Sequence, residues 1–172
     1  MSIYAIGDRV PSIDPGAFVH PDAVIIGDVS VGAESSIWPG AILRGDHGAV
    51  RVGARTSIQD GAIVHCTADL DTMIGDECTI GHLAHLEGCV IESGSLVGSG
   101  ATVLHRAIVE SGALVAAQAL VAPGTVVPSG ALARGVPARI VEGGADAELL
   151  AHATRTYVHN AHWYNAELRR ID

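Results

Sequence analysis

The sequence predicts an all-β solenoid: a parallel β-helix of hexapeptide repeats followed by one C-terminal α-helix. Three observations lead there. Aliphatic residues recur almost every six positions, from Val31, Ile37 and Leu43 through Val97, Val103, Val109, Val115, Val121 and Val127 to Ala133. A small residue usually sits four places later, as at Ser35, Ala41, Cys78, Ala101 and Ala113. Hydrophobic residues make up 48% of the 172-residue chain but aromatic ones only 3%, which suits a core of stacked Val, Ile and Ala. A period of six fits neither the helical 3.6 nor the strand alternation of two. It is the period of a β-helix with one short strand and one turn per repeat, three repeats closing a triangular coil.

The elements follow in chain order. Residues 1–24 form a Pro-rich lead-in (Pro11, Pro15, Pro21) to the first coil, and the solenoid is assigned to residues 1–142. Glycine often follows the aliphatic residue (Gly32, Gly53, Gly75, Gly81, Gly98), which is expected where the backbone turns sharply. The rhythm breaks twice. Three extra residues separate Leu43 from Val52, and four separate Val64 from Ile74, where a loop TADLDT is expected. Insertions in a solenoid tend to gather on its functional face. Gly143 and Gly144 end the repeats, and Asp146 can cap a helix over residues 145–170. Leu150, Ala153, Tyr157, Ala161, Tyr164 and Leu168 give that helix an apolar stripe to lay on the prism.

Charge and composition narrow the function. The net charge of −9 without a basic stripe argues against nucleic acid. No apolar run is suited to spanning a membrane, and the first residues do not read as a signal peptide. Cys66, Cys78 and Cys89 are odd in number and lack CxxC spacing, so reduced thiols in a cytoplasmic protein are expected, with Cys78 as interior packing.

Sorting residues by coil position produces two polar columns. One holds Arg44, His65 and Glu87, then Leu104 and Ala122. The other holds Pro39, Asp60 and His82, then Ser99 and Ala117. Both lose their polarity at the same height. His65 and Glu87 can therefore share an ion. His82 lies five residues before Glu87 around the coil, and five extended residues cover roughly 16 Å. Zinc ligands sit at about 2 Å, so a site using all three needs a neighbouring subunit, and a threefold homotrimer would supply it. His20, His105, His152, His159 and His162 read as solvated, His47 as part of the first inserted loop, and Arg44–Asp46 alone as a surface pair.

The ordered segments IGDVSVG, SSIWPGAILRGD, GARTSIQDGAIVH, IGDECTIGH and GVPARIV, with TYV in the helix, resemble the γ-class carbonic anhydrase-like proteins over nearly the whole chain. The resemblance implies a trimeric left-handed β-helix, an exception to the usual crossover hand. It implies zinc, or another divalent metal such as Fe2+ or Co2+, at the subunit interfaces. His65 and His82 match two of the family's three histidine ligands. The third falls on Glu87, because this chain reads LEGC, and His85 is the alternative two places away. Arg44 and Asp46 match the family's RGD, Gln59 and Asp60 its QD pair, and Tyr157 a helix tyrosine. Ser57 stands where the family has Asn, and its acidic proton-shuttle loop is not evident.

The implied activity is reversible hydration of CO2 to bicarbonate by a metal-bound hydroxide. Gln59 would orient the attacking oxygen or substrate, and Arg44 and Asp46 would brace the interface. Two His and one Glu form a catalytic zinc set, but the carboxylate offsets one charge of the metal. A weak hydratase, another metal or another electrophile such as a thioester is then expected. Other hexapeptide β-helices are acyltransferases that use a His base on a coenzyme A ester, so an acyltransferase or thioesterase is the alternative. A structural relative without activity is the third reading.

Overall fold

The computed structural model describes residues 2–172 and shows a triangular β-prism with one helix on its flank. Most strands are two or three residues long and pair in parallel with the strands of the coils above and below. Strands such as Leu96–Val97 and Leu114–Val115 place their second residue inward, fully buried. The small residue of each repeat, such as Ala101 or Ala113, precedes the next strand and is equally buried. This stacked interior gives the molecule one continuous core. The architecture is the hexapeptide-repeat left-handed β-helix that the periodicity and the resemblance together lead to.

The first face holds Ser2–Tyr4, Ile63–His65, His85–Glu87, Thr102–Val103 and Leu120–Val121. The second holds Ser12–Ile13, Thr72–Ile74, Val90–Ile91 and the strands above them. The third runs from Phe18–Val19 through Ser57–Ile58 and Thr79–Ile80 to Leu132–Arg134. Residues 2–19 thus already form a coil, one strand on each face, rather than a lead-in to one.

Corners show what the glycines do. Those after the aliphatic residue are not the turning residues. A Cβ on Gly98 would lie 2.5 Å from Ala117 N, and one on Gly81 would lie 2.6 Å from Ser99 N. They are small because stacked backbones nearly touch there. The turn falls two places later, at left-handed residues such as Glu34, Arg55, Glu77, Leu83, Gly100 and Gly112.

The two insertions meet at the corner between the first and second faces. The first is not a loop. It extends one continuous strand, Ile42–Val52, beside Val24–Val31, and both run across the corner. Gly27 opposes Gly45 but Val29 opposes Val50, which places the three extra residues as a bulge. His47 is exposed on this bulge, and its carbonyl accepts from the Arg9 guanidinium at 3.1 Å. The second insertion is a bent loop whose Asp71 Oδ1 accepts from Ala49 N at 2.7 Å, pinning one insertion to the other.

The helix α1 spans Ala147–Glu167, with Asp146 Oδ1 accepting from Glu148 N and Leu149 N. It lies along the third face. Leu150 and Ala161 are buried, and Tyr157 and Tyr164 pack on Phe18 and Trp38. Leu168, the last member of the expected stripe, is instead 46% exposed, because the helix stops at Glu167 and Leu168 is its C-cap. After the last third-face strand the chain folds back as Arg139–Val141, antiparallel to Leu132–Arg134. No helix is long and apolar enough to cross a membrane among the described residues. All three cysteines are free and buried; burial pushes the Cys78 thiol up to about 11 and the Cys89 thiol up to about 12.

Candidate functional site

Parallel stacking builds the two polar columns. Arg44 opposes His65, and His65 opposes Glu87, on adjacent strands of the first face. Because strand side chains alternate, all three point away from the core occupied by Leu43, Val64 and Leu86. The second column lies at the corner between the third and first faces. There the Pro39, Asp60, His82 and Ser99 carbonyls accept from Gly61, Leu83, Gly100 and Gln118 respectively.

The first column is a continuous polar chain. Arg44 donates to Asp46 Oδ2. Asp46 Oδ1 lies 3.1 Å from His65 Nε2, and His65 Nδ1 lies 2.9 Å from Glu87 Oε1. Both nitrogens of His65 therefore face carboxylates. Burial raises the Asp46 carboxyl, but the hydrogen bonds from His65 and Arg44 outweigh it and hold the group at about 2. For Glu87, burial again works upward. Bonds from His65 and His85, with the charges of His65 and His105, win and leave it below the ordinary glutamate value.

His85 and His105 approach the other oxygen of Glu87. Their Nε2 atoms lie 3.5 and 3.8 Å from Oε2. His105, expected to be merely solvated, thus belongs to this cluster. The repeat register stacks His105 one coil above Gly88, so its reach to Glu87 left no signal in the spacing. Cys66 is the other residue that sequence reasoning passed over. Its sulfur, with Asp46 and His65, offers ligand atoms within 4.8 Å of one another, but it is fully buried and accepts from Gly48 N at 3.2 Å.

His82 does not join His65 and Glu87 in this chain. Its Nδ1 lies 2.9 Å from Asp60 Oδ2, and its backbone N–H donates to Gln59 Oε1 at 3.1 Å. Gln59 is buried, and Tyr157 stands beside it, edge-on to Trp38 at 5.8 Å. Burial raises the Tyr157 phenol, the Asp60 charge adds to the rise, and the Gln59 side chain opposes it. Tyr157, Gln59, Asp60 and His82 are thus one group, and Arg44, Asp46, His65 and Glu87 another. A groove of about 570 Å³ runs between α1 and the corner of Arg55, Glu77 and Gly94, and neither group lines it.

Prism, columns and flanking helix define a hexapeptide-repeat left-handed β-helix protein, and a family model for the bacterial transferase hexapeptide (six repeats) matches residues 71–105. The carnitine operon protein CaiE of Escherichia coli (strain K12) is 44% identical over 149 residues, 87% of this chain and 76% of that protein. The chain belongs to the hexapeptide-repeat family that contains CaiE. Among solved structures, a hexapeptide transferase family protein from Anaplasma phagocytophilum is 36% identical with a TM-score of 0.91, over 95% of this chain and 98% of that one. A candidate acetyltransferase from Bacillus cereus is 32% identical with a TM-score of 0.93, over 96% and 97%. None of these relatives carries the name of a carbonic anhydrase.

Proposed function

We propose that the chain transfers an acyl group from a coenzyme A-type thioester, with His82 as general base. The carrying observation is the His82–Asp60 pair. Asp60 holds Nδ1, while Nε2 has no hydrogen-bond partner among the described residues on a side chain 47% exposed. A carboxylate behind one nitrogen fixes the ring and leaves the other nitrogen to work, the arrangement that nucleophile activation requires. His65 lacks that freedom, since carboxylates face both its nitrogens. The transferase names of the relatives support the same reading.

In the proposed reaction, His82 Nε2 takes the proton from an acceptor amine or hydroxyl as that atom attacks the thioester carbonyl. The new C–N or C–O bond forms, the C–S bond breaks, and His82 returns the proton to the departing thiolate. With water as acceptor the same steps give a thioesterase. Gln59 accepts from the His82 backbone N–H and so positions the base, and the Tyr157 hydroxyl stands against Gln59. The exposed Leu83, next in the chain, offers apolar contact to the thioester's arm. Hexapeptide-repeat proteins are commonly trimers, and a homotrimer of this chain would set each His82 corner against a neighbouring prism.

The test is thiol release from acetyl coenzyme A, with water alone and with a panel of amine and sugar acceptors. His82→Ala should slow turnover by roughly 10²–10⁴-fold, the usual contribution of a general base. Asp60→Asn should slow it less. Undiminished turnover in His82→Ala would sink the proposal.

The Arg44–Asp46–His65–Glu87 chain favours a second reading, metal-assisted hydration of CO2. Its donors fit a divalent ion in part. The 2.9 Å between His65 Nδ1 and Glu87 Oε1 is close to the roughly 3.3 Å between ligand atoms around tetrahedral zinc. His65 and Glu87 would hold the ion, with the His82 of another subunit completing the set in a trimer. A bound ion would supply Lewis-acid activation of water. Gln59 and Tyr157 would then order the substrate beside His82. Rapid CO2 hydration by the zinc-loaded protein, lost in His65→Ala, is the result expected on this reading; hydration at the buffer rate would remove it.

A further inference from the structure

We propose a divalent-metal site contained within a single prism, formed by Glu87 Oε2, His85 Nε2 and His105 Nε2. It does not rest on the acyl-transfer reading, and it uses neither His82 nor a second subunit.

Two histidines already address one carboxylate oxygen. Both histidine nitrogens approach the same oxygen, at 3.5 and 3.8 Å. Ligand atoms bound to one tetrahedral zinc at 2.0–2.1 Å lie about 3.3 Å apart. Each nitrogen is within about half an ångström of that separation from Oε2, while the two rings, farther apart from each other, swing together to close the third side. Both side chains are partly exposed, 36% and 37%, so they can move, and the outward side stays open to a water ligand. Imidazole with carboxylate suits zinc and its first-row neighbours.

The surroundings prepare the site. His85 and Glu87 are the two outward residues of one three-residue strand, on either side of the buried Leu86. His105 comes from the coil above, over Gly88. A Cβ on Gly88 would lie 3.0 Å from His105 Cδ2, so the glycine makes room for that ring to lean toward Glu87. The other carboxylate oxygen, Oε1, is held by His65 Nδ1. His65 is held in turn by Asp46, and Asp46 by Arg44. A ligating carboxylate oriented by a hydrogen bond to its second oxygen is the usual outer-shell arrangement of metal sites. His65 thereby becomes the residue that aims Glu87, and the polar chain acquires a direction that ends at Oε2.

The test uses the full chain, stripped with a chelator and titrated with zinc alone against a chromophoric zinc indicator. Metal content is checked by elemental analysis. One zinc per chain is expected. His105→Ala and His85→Ala should each weaken binding at least about tenfold, the loss that follows removal of even an outer partner. His82→Ala should leave it unchanged. Cobalt in place of zinc should show the visible bands of a tetrahedral site, altered in His105→Gln, which keeps bulk and polarity if the alanine variant folds poorly. Zinc retained at full affinity by both His105 variants would overturn the site. So would loss of zinc in His82→Ala, which would place the ion between subunits, or no binding by the parent. Thiol release is measured separately, so failure here leaves the His82 test standing.

Discussion

At the residue scale, two kinds of glycine serve the solenoid for different physical reasons. Gly98 has no room for a side chain, since a Cβ would meet Ala117 N at 2.5 Å and Ala116 C at 2.8 Å. Gly112 has room, with nothing within 4 Å, but holds φ at +68°. Gly98→Ala should therefore cost about 2 kcal/mol or more by forcing two coils apart. Gly112→Ala should cost about 1–2 kcal/mol through its backbone angle alone. Asparagine tolerates the left-handed region, so Gly112→Asn should recover part of the loss, and Gly98→Asn should not. Urea unfolding of the four variants checks this; equal losses at the two asparagine positions would defeat the distinction. The sequence shows glycine at both places but not which reason applies. Close approach depends on the neighbouring coil, which a single line of residues does not display.

At the scale of elements, the helix is tied to the prism mainly through aromatic rings. Trp38 is buried, with Phe18 at 5.4 Å, Tyr157 at 5.8 Å and Tyr164 at 5.0 Å between centroids. Its indole N–H donates to Ser36 Oγ and Ser57 Oγ, both at 3.0 Å. Trp38→Ala should cost about 3–5 kcal/mol and release α1 before the prism melts. Limited proteolysis near residues 142–150, with the β signal of circular dichroism retained, would register that order of events. Helix and prism melting together, with unchanged protease resistance, would refute it. The period of the helix stripe was readable in the sequence, and so was the Asp146 cap. Its partners were not, because Phe18 and Trp38 enter from separate coils and neither interrupts the hexapeptide rhythm.

For the whole molecule, the ion pair Asp28–Arg51 spans the two long strands in two-pronged fashion, with Arg51 nitrogens at 2.5 and 2.9 Å from the two carboxylate oxygens. The hydrogen bond from Arg51 holds the Asp28 carboxyl below its ordinary 3.8; burial opposes it, and the charges of Arg51 and Arg9 add to the lowering. The unfolded chain binds that proton more readily than the folded one. The pair's contribution is thus complete above about pH 4 and lost as pH falls below that value. Asp28→Asn should flatten the acid limb of stability below pH 4 and scarcely alter its shape near pH 7, as followed by urea midpoints across pH. A parallel acid limb in the variant would remove Asp28 from the account. The polar columns were legible because a solenoid converts period into vertical alignment, so counting in sixes brings Arg44, His65 and Glu87 together. His105 escaped because it stacks over a glycine and leans sideways to Glu87, a tilt that counting does not reveal. The count also stacked His82 on Asp60 in the second column, but only their rotamers decide that the two side chains touch.

The reversed strand Arg139–Val141 has a consequence for how copies of the chain behave in bulk. A parallel β-helix ends in open rows of amide and carbonyl groups, and a second prism could in principle stack on them in register. Here the chain turns back on its last coil. Arg139–Val141 runs against Leu132–Arg134, Gly135 O accepts from Leu120 N, and Ala138 N donates to Leu120 O. The final rung is thus covered by backbone of the wrong direction for another repeat to follow. Chains truncated after Gly135 should elongate tip to tip into fibres at high concentration, visible by electron microscopy and by thioflavin fluorescence. Intact chains should stay as discrete particles. The hairpin is then a polymerisation stop, keeping a surface suited to endless growth at one finite length.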